Sequence, residues 1–222
     1  MTVKLFIPKH TSHYDEYISI APQGFGFSAK FIKNNNLSKK NFVEFGNDNN
    51  DEYRFYVGFP DEKKLSCLEL QGFKGSSNRQ VKASEFINEY PILKEIKNDK
   101  NLHSSQRRFE LTWDKEAGMY NFGVIPNFEK ECTPDNLKED EGIYRYKNTK
   151  DDIIYIGIGE VKKRFKAPER ASWINEVKKI EYSIIKEKKD REKFENIYLK
   201  AFVMKYGKRP KYNKNLGKKI NK

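Results

Sequence analysis

The sequence predicts an α+β protein in two parts. A β-rich N-terminal domain spans residues 1–130, and a linker spans 131–140. A C-terminal domain over 141–222 has a small central antiparallel β-sheet flanked by helices. Three observations predict this. Runs rich in Val, Ile, Tyr and Phe recur in pairs around polar turns in both parts. A long apolar stripe at helical spacing occurs near the C-terminus. The polar, acidic stretch 129–140 breaks in composition from both neighbours, as a domain boundary does in a chain of 222 residues.

The elements follow in order. Residues 28–33 predict a short helix that ends in Asn34-Asn35-Asn36. Runs 40–45 and 53–59 flank the turn-prone segment 46–51 and predict a hairpin. Residues 83–90 predict a helix begun by Ser84, with Pro91 just beyond its end. A second hairpin is expected from 107–113 and 119–124, joined by 114–118. In the C-terminal part, 142–147 and 153–158 flank the polar segment 148–152 and predict a third hairpin. A Gly-Ile-Gly turn, a short basic helix at 161–165 and a strand at 179–185 come next. Asp190 is a good N-cap for a helix over 191–206, which carries Phe194, Ile197, Tyr198, Ala201 and Phe202 on its core face. Gly207 stops that helix, and 209–213 form a loop.

Charge narrows the partner. The chain holds 44 Lys+Arg and 32 Asp+Glu, a net of +12. Residues 142–222 hold 24 and 10 of these, a net of +14, whereas residues 1–141 hold 20 and 22, a net of −2. A cationic segment beside a near-neutral one points to a polyanionic partner for the C-terminal part. The run 205–214, with tyrosines among cations, suits contacts along a nucleic-acid backbone. No 18-residue apolar run and no N-terminal charged-then-apolar signal occur, so a soluble, cytoplasmic protein without membrane association is expected. Cys67 and Cys132 are lone cysteines, and His10, His13 and His103 form no metal motif.

The richest signal is the pair Gly142-Ile143-Tyr144 and Tyr155-Ile156-Gly157, separated by ten residues on the predicted hairpin. Arg164 follows on the basic helix, Glu195 on the long helix, and Pro210-Lys211-Tyr212-Asn213 closes the set. In order and spacing, residues 141–216 resemble the GIY-YIG nuclease superfamily. The resemblance implies a divalent-metal-dependent endonuclease acting on double-stranded DNA, with Mg²⁺ (or Mn²⁺) as cofactor. It implies that Tyr144 orients or deprotonates the attacking water, Tyr155 assists, Arg164 holds the phosphate, Glu195 binds the metal and Asn213 braces the site. Lys162, Lys163, Arg170 and Lys211 are the expected substrate-binding cations. Three departures stand out: Ile158-Gly159 replace a lysine that many members carry after the second tripeptide, Pro168 replaces a tyrosine or histidine four residues after the helix arginine, and the interval from Glu195 to Asn213 is longer than in the compact repair members.

The residue types suit that chemistry. Phosphodiester hydrolysis needs a positioned water, a proton acceptor and cationic stabilisation of the phosphate. Arginine offers a permanently charged planar fork for phosphate oxygens, and glutamate a hard oxygen ligand. A tyrosine near pKa ~10 becomes a useful base only if neighbouring cations lower it, a task assigned to Lys162, Lys163 and Arg164. The N-terminal domain is expected to select the target through its hairpins or loops. A restriction or host-defence enzyme fits the domain order best. A mobile-element nuclease and a DNA-binding protein with an inactivated nuclease fold are the alternatives. One active site cuts one strand, so double-strand scission calls for a homodimer or successive nicks.

Overall fold

A computed structural model describes residues 14–72 and 79–215, so the His10–His13 pair lies outside the described residues. The chain is mixed helix and strand. It separates into two compact units, Met1–Gly123 and Val124–Lys222.

The first unit contains β1 (Tyr17–Ala21), β2 (Gly24–Phe27), α1 (Ala29–Asn34), β3 (Phe42–Asn47), β4 (Arg54–Gly58), β5 (Leu68–Gly72), β6 (Arg79–Lys82), α2 (Ser84–Glu89), α3 (Pro91–Asn98), β7 (Arg108–Glu110), β8 (Thr112–Asp114) and β9 (Met119–Gly123). The strands form one antiparallel sheet in the order β7-β1-β2-β6-β5-β3-β4-β9-β8. Only Leu111 separates β7 from β8. A single bent run thus pairs with β1 through its first half and with β9 through its second, bringing the two ends of the sheet together as a near-barrel. Phe25, Phe55 and Phe122 meet inside, with ring centroids 5.5 and 5.9 Å apart along the Phe55–Phe122–Phe25 chain.

Local chemistry sets several boundaries. The Ser28 hydroxyl accepts the Phe31 N–H and caps α1 where the sequence places that helix. Pro91 does more than end α2, because it also opens α3, where a missing N–H costs nothing. Strands β2, β5 and β6 carry too much Gly, Gln and charge to be read as strands, and β1 is a short run that the sequence reading passes over. Their burial comes from partners distant in sequence: Phe25 and Phe27 are core residues although Gly24 and Gly26 flank them.

The second unit contains β10 (Lys130–Cys132), β11 (Glu141–Lys147), β12 (Ile153–Glu160), α4 (Val161–Phe165), β13 (Lys179–Ile184) and α5 (Lys188–Tyr206). Its sheet runs β10-β13-β11-β12, all antiparallel. The segment expected as a linker supplies β10, pairing Cys132 with Ile180, and Cys132 is buried in the core of this unit. Helix α5 begins at Lys188 with Glu187 as the cap residue, so Asp190 sits in the first turn, not at the N-cap. Its acidic side chain suits the positive end of the helix from that position as well.

Alternation along β11 divides the sheet chemistry. Tyr144 and Tyr146 face one side, and Ile143 and Arg145 the other, where Arg145 donates to the Tyr198 hydroxyl of α5 at 2.8 Å. On that second side Glu181 takes Arg145 at 2.5 Å, Lys147 at 3.0 Å and Lys179 at 3.1 Å. Burial opposes the charge on Glu181, yet hydrogen bonds from Lys147 and Arg145 outweigh it and hold the carboxyl at about 2, below its ordinary 4.5. A depressed carboxyl pKa contributes stability that is present above pH ~4.5 and is lost as pH falls through about 2. Glu181→Gln is therefore expected to lower stability by about 2 kcal/mol at pH 7. Urea unfolding at pH 7 and pH 3 should show the gap between variant and wild type narrowing at the lower pH.

Candidate active site

The register of β11 against β12 builds the site. Tyr146 stands opposite Tyr155, and Tyr144 stands opposite Gly157. Three tyrosines consequently share one face, with Tyr144–Tyr146 centroids 4.9 Å apart and Tyr146–Tyr155 centroids 5.5 Å apart. A Cβ on Gly157 would lie 2.7 Å from the Tyr144 hydroxyl and 2.6 Å from the Tyr155 ring, so only glycine leaves room for this arrangement. Gly142 has a different constraint: a Cβ there would fall 1.9 Å from the Ser183 carbonyl on β13. The glycines of the two tripeptides thus admit, respectively, a neighbouring strand and a phenol.

Tyr144 does not lie on a shallow surface. It is 0% exposed, as is Tyr146, because the segment after α4 folds over the cluster. Arg170 is the agent of that burial. Pro168 opens a short 3₁₀ turn ending at Arg170, and the Arg170 guanidinium turns inward. It donates to Tyr146 at 3.0 Å, Tyr155 at 3.1 Å, Tyr144 at 3.2 Å and the Arg164 carbonyl at 2.5 Å. Arg170 was expected to bind substrate. At 2% exposure, with its donors committed to the tyrosines, it is a buried structural cation. Arg164 lies close enough to Tyr144 for the two to interact electrostatically, while its buried Nε has no partner.

These contacts reset the acid–base expectation. Burial, and then neighbouring Tyr144, raise the Tyr155 hydroxyl above the usual phenol range, with Arg170 opposing them. Burial raises Tyr146 further still. Of the cations expected to lower the tyrosines, only Arg164 is among the main influences on Tyr155, and desolvation outweighs both it and Arg170, so Tyr155 is a hydrogen-bond donor at neutral pH. Desolvation also works against the charge on Arg164 and Arg170, but contacts with Tyr144 outweigh it and both stay protonated.

Asn213 clamps the second strand of the pair. Its Oδ1 accepts the Ile156 N–H at 2.9 Å, and its Nδ2 donates to the Ile156 carbonyl at 2.8 Å. Tyr212 lies flat on Trp173, with centroids 4.3 Å apart, and Trp173 in turn packs against Tyr155. Glu195, half-buried on α5, is close enough to Tyr155 to help raise its pKa. The expected substrate cations divide. Lys163 is exposed on α4, Lys162 pairs with Glu139 at 2.7 Å, and Lys211 pairs with Glu176 at 2.9 Å.

The donor set fits a hard divalent ion in one form only. Among the described residues no three or more His, Cys, Asp and Glu side chains gather as a cage. A lone carboxylate at Glu195 suits Mg²⁺ or Mn²⁺, which keep most of their waters and take further oxygens from phosphate. Tyr146 was missed in the sequence, although its two-residue spacing from Tyr144 places it on the same strand face; its register opposite Tyr155 is a structural finding. Compared with family models, curated proteins and solved structures, the chain matches none of them.

The glycine at 157 gives a direct check. Gly157→Ala is expected to cost ~1–3 kcal/mol and to alter the near-ultraviolet circular dichroism of the tyrosines. Gly46→Ala, where a Cβ meets nothing within 4 Å, should stay within ~0.5 kcal/mol of wild type. Equal effects of the two substitutions on denaturant midpoints would remove the special role of position 157.

Proposed function

We propose that the second unit is a GIY-YIG-type nuclease domain and that the protein is a divalent-metal-dependent endonuclease hydrolysing phosphodiester bonds of double-stranded DNA. In this reading it works as a restriction or host-defence enzyme, with the first unit selecting the target. The observation that carries it is the gathering of Tyr144, Tyr155 and the Arg164 backbone around the Arg170 guanidinium, which donates to both phenols and to the Arg164 carbonyl, with Asn213 fastened to the strand that bears Tyr155. Four residues that the resemblance names, distant in sequence, thus lie on or against one hairpin, which supports the reading.

Arg164 carries a fixed positive charge beside Tyr144 and has an unpartnered buried N–H, as a group assigned to phosphate does. Tyr155 keeps its proton and can donate to a phosphate oxygen or to the attacking water. Tyr144 orients that water through its hydroxyl. Lys163, exposed on the same short helix as Arg164, can meet the flanking backbone. Glu195 would hold the metal, which when bound supplies Lewis-acid stabilisation of charge on the phosphate.

A second reading, a DNA-binding protein that does not cut, is favoured by one observation. Tyr144 is fully buried and its oxygen already accepts from the Arg170 guanidinium. Glu195→Ala separates the two readings. The nuclease loses several kcal/mol of transition-state stabilisation, a fall of more than ~100-fold in plasmid cleavage with Mg²⁺ or Mn²⁺, while its DNA affinity is retained. Wild-type protein that binds duplex DNA and leaves unmodified and methylated plasmids intact would establish the binder instead.

A further inference from the structure

We infer that Arg170 is a positioning residue: its buried guanidinium sets the hydrogen-bond direction of the tyrosine cluster, so that the phenols present O–H donors to the reacting groups. This rests on the nuclease reading and names a residue that acts through others without touching DNA.

The argument begins from what a guanidinium can do. Arginine has five N–H donors and no acceptor. A phenol has one proton and an oxygen that accepts. Where Arg170 donates to the oxygens of Tyr144, Tyr146 and Tyr155, none of those phenol protons can point back at it. Each must be directed elsewhere. For Tyr155, which faces Arg170 on one side and lies near Glu195, the proton turns away from the guanidinium. A planar fork can hold several oxygens at once in fixed directions, which the compact ammonium of a lysine cannot.

Placement supports the same role. The Arg170 carbon lies 4.6 Å from the Tyr155 ring centroid and 5.7 and 5.8 Å from those of Tyr146 and Tyr144, so the charge sits among the rings. Its fourth contact, to the Arg164 carbonyl, ties the end of α4 to the cluster and so locates Arg164 relative to Tyr144. The turn that delivers Arg170 starts at Pro168, which is itself exposed. The position that departs from the resemblance therefore belongs to a different way of ordering the tyrosines. An exposed phosphate-binding arginine would show none of this enclosure.

The test uses the full chain and a plasmid that the wild type cuts. Arg170→Lys keeps the charge and loses the fork. Its kcat is expected to fall ~100-fold, as misplacement of reacting groups does, with KM and duplex affinity within about threefold of wild type. In a double-mutant cycle, adding Arg170→Lys to Tyr144→Phe should cost much less than Arg170→Lys costs alone, because the arginine acts through the phenols. A raised KM and weakened binding at unchanged kcat would make Arg170 a substrate ligand and overturn the inference, as would full activity in Arg170→Lys. If the Arg170 variant does not fold, Tyr146→Phe decides: it keeps the ring, removes one acceptor of the fork, and should lower kcat ~10-fold, and an unchanged kcat overturns the inference. A wild type that cuts no duplex overturns the nuclease reading, and this inference with it.

Discussion

One buried guanidinium holding three phenols organises the second unit. Arg170 is an expensive group to enclose, since a charge removed from water must find strong partners. The Tyr144, Tyr146 and Tyr155 oxygens and the Arg164 carbonyl are those partners, and they come from two strands and the end of a helix. Satisfying the cation therefore fixes β11, β12 and the segment after α4 together. The glycine at 157 is a condition of this arrangement, because any larger residue would occupy the space of the Tyr144 hydroxyl. A buried polar network of this kind imposes one geometry, because a partly satisfied version costs more than an apolar one.

The charge distribution looks different once the folded units are known. With the division at Gly123/Val124, the second unit holds 26 basic and 16 acidic side chains, a net of +10, and the first holds 18 and 16, a net of +2. The acidic stretch that looks like a linker belongs with the basic residues. Glu131 meets Lys179, Glu139 meets Lys162, and Glu141 meets Arg191. Pairing neutralises part of the cationic surface locally and leaves Lys163 exposed beside Arg164. The exposed pairs, Glu131–Lys179 and Glu139–Lys162, add little stability each, so their main consequence is for the electrostatic field that a polyanion would meet.

Much of the site was legible as residue types at set positions. Alternation and turn chemistry located the hairpin of Tyr144 and Tyr155, and the apolar period located α5. The helix over residues 29–34 was legible from the asparagine run at its end, while the capping role of Ser28 emerged only in the structure. Strands β1, β2, β5, β6 and β10 were not. They are short, and besides any hairpin neighbour each pairs with a strand more than twenty residues away: β1 with β7, β2 with β6, β5 with β3 and β10 with β13. No helix among the described residues is long and apolar enough to cross a membrane, in keeping with the absence of a long apolar run in the sequence.

What the sequence determined by itself was the mixed helix-and-strand class, the hairpin with its paired glycines and tyrosines, and the placement of Arg164, Glu195 and Asn213 after it. Those features depend on backbone propensity, periodicity and order along the chain. Tertiary structure decided the rest: that Tyr144 is enclosed, that Arg170 lies beneath the phenols and away from solvent, that burial outweighs nearby cations at Tyr155, and that residues 130–132 belong to the second sheet. Desolvation and long-range pairing depend on which surfaces meet, and a one-dimensional reading has no term for them.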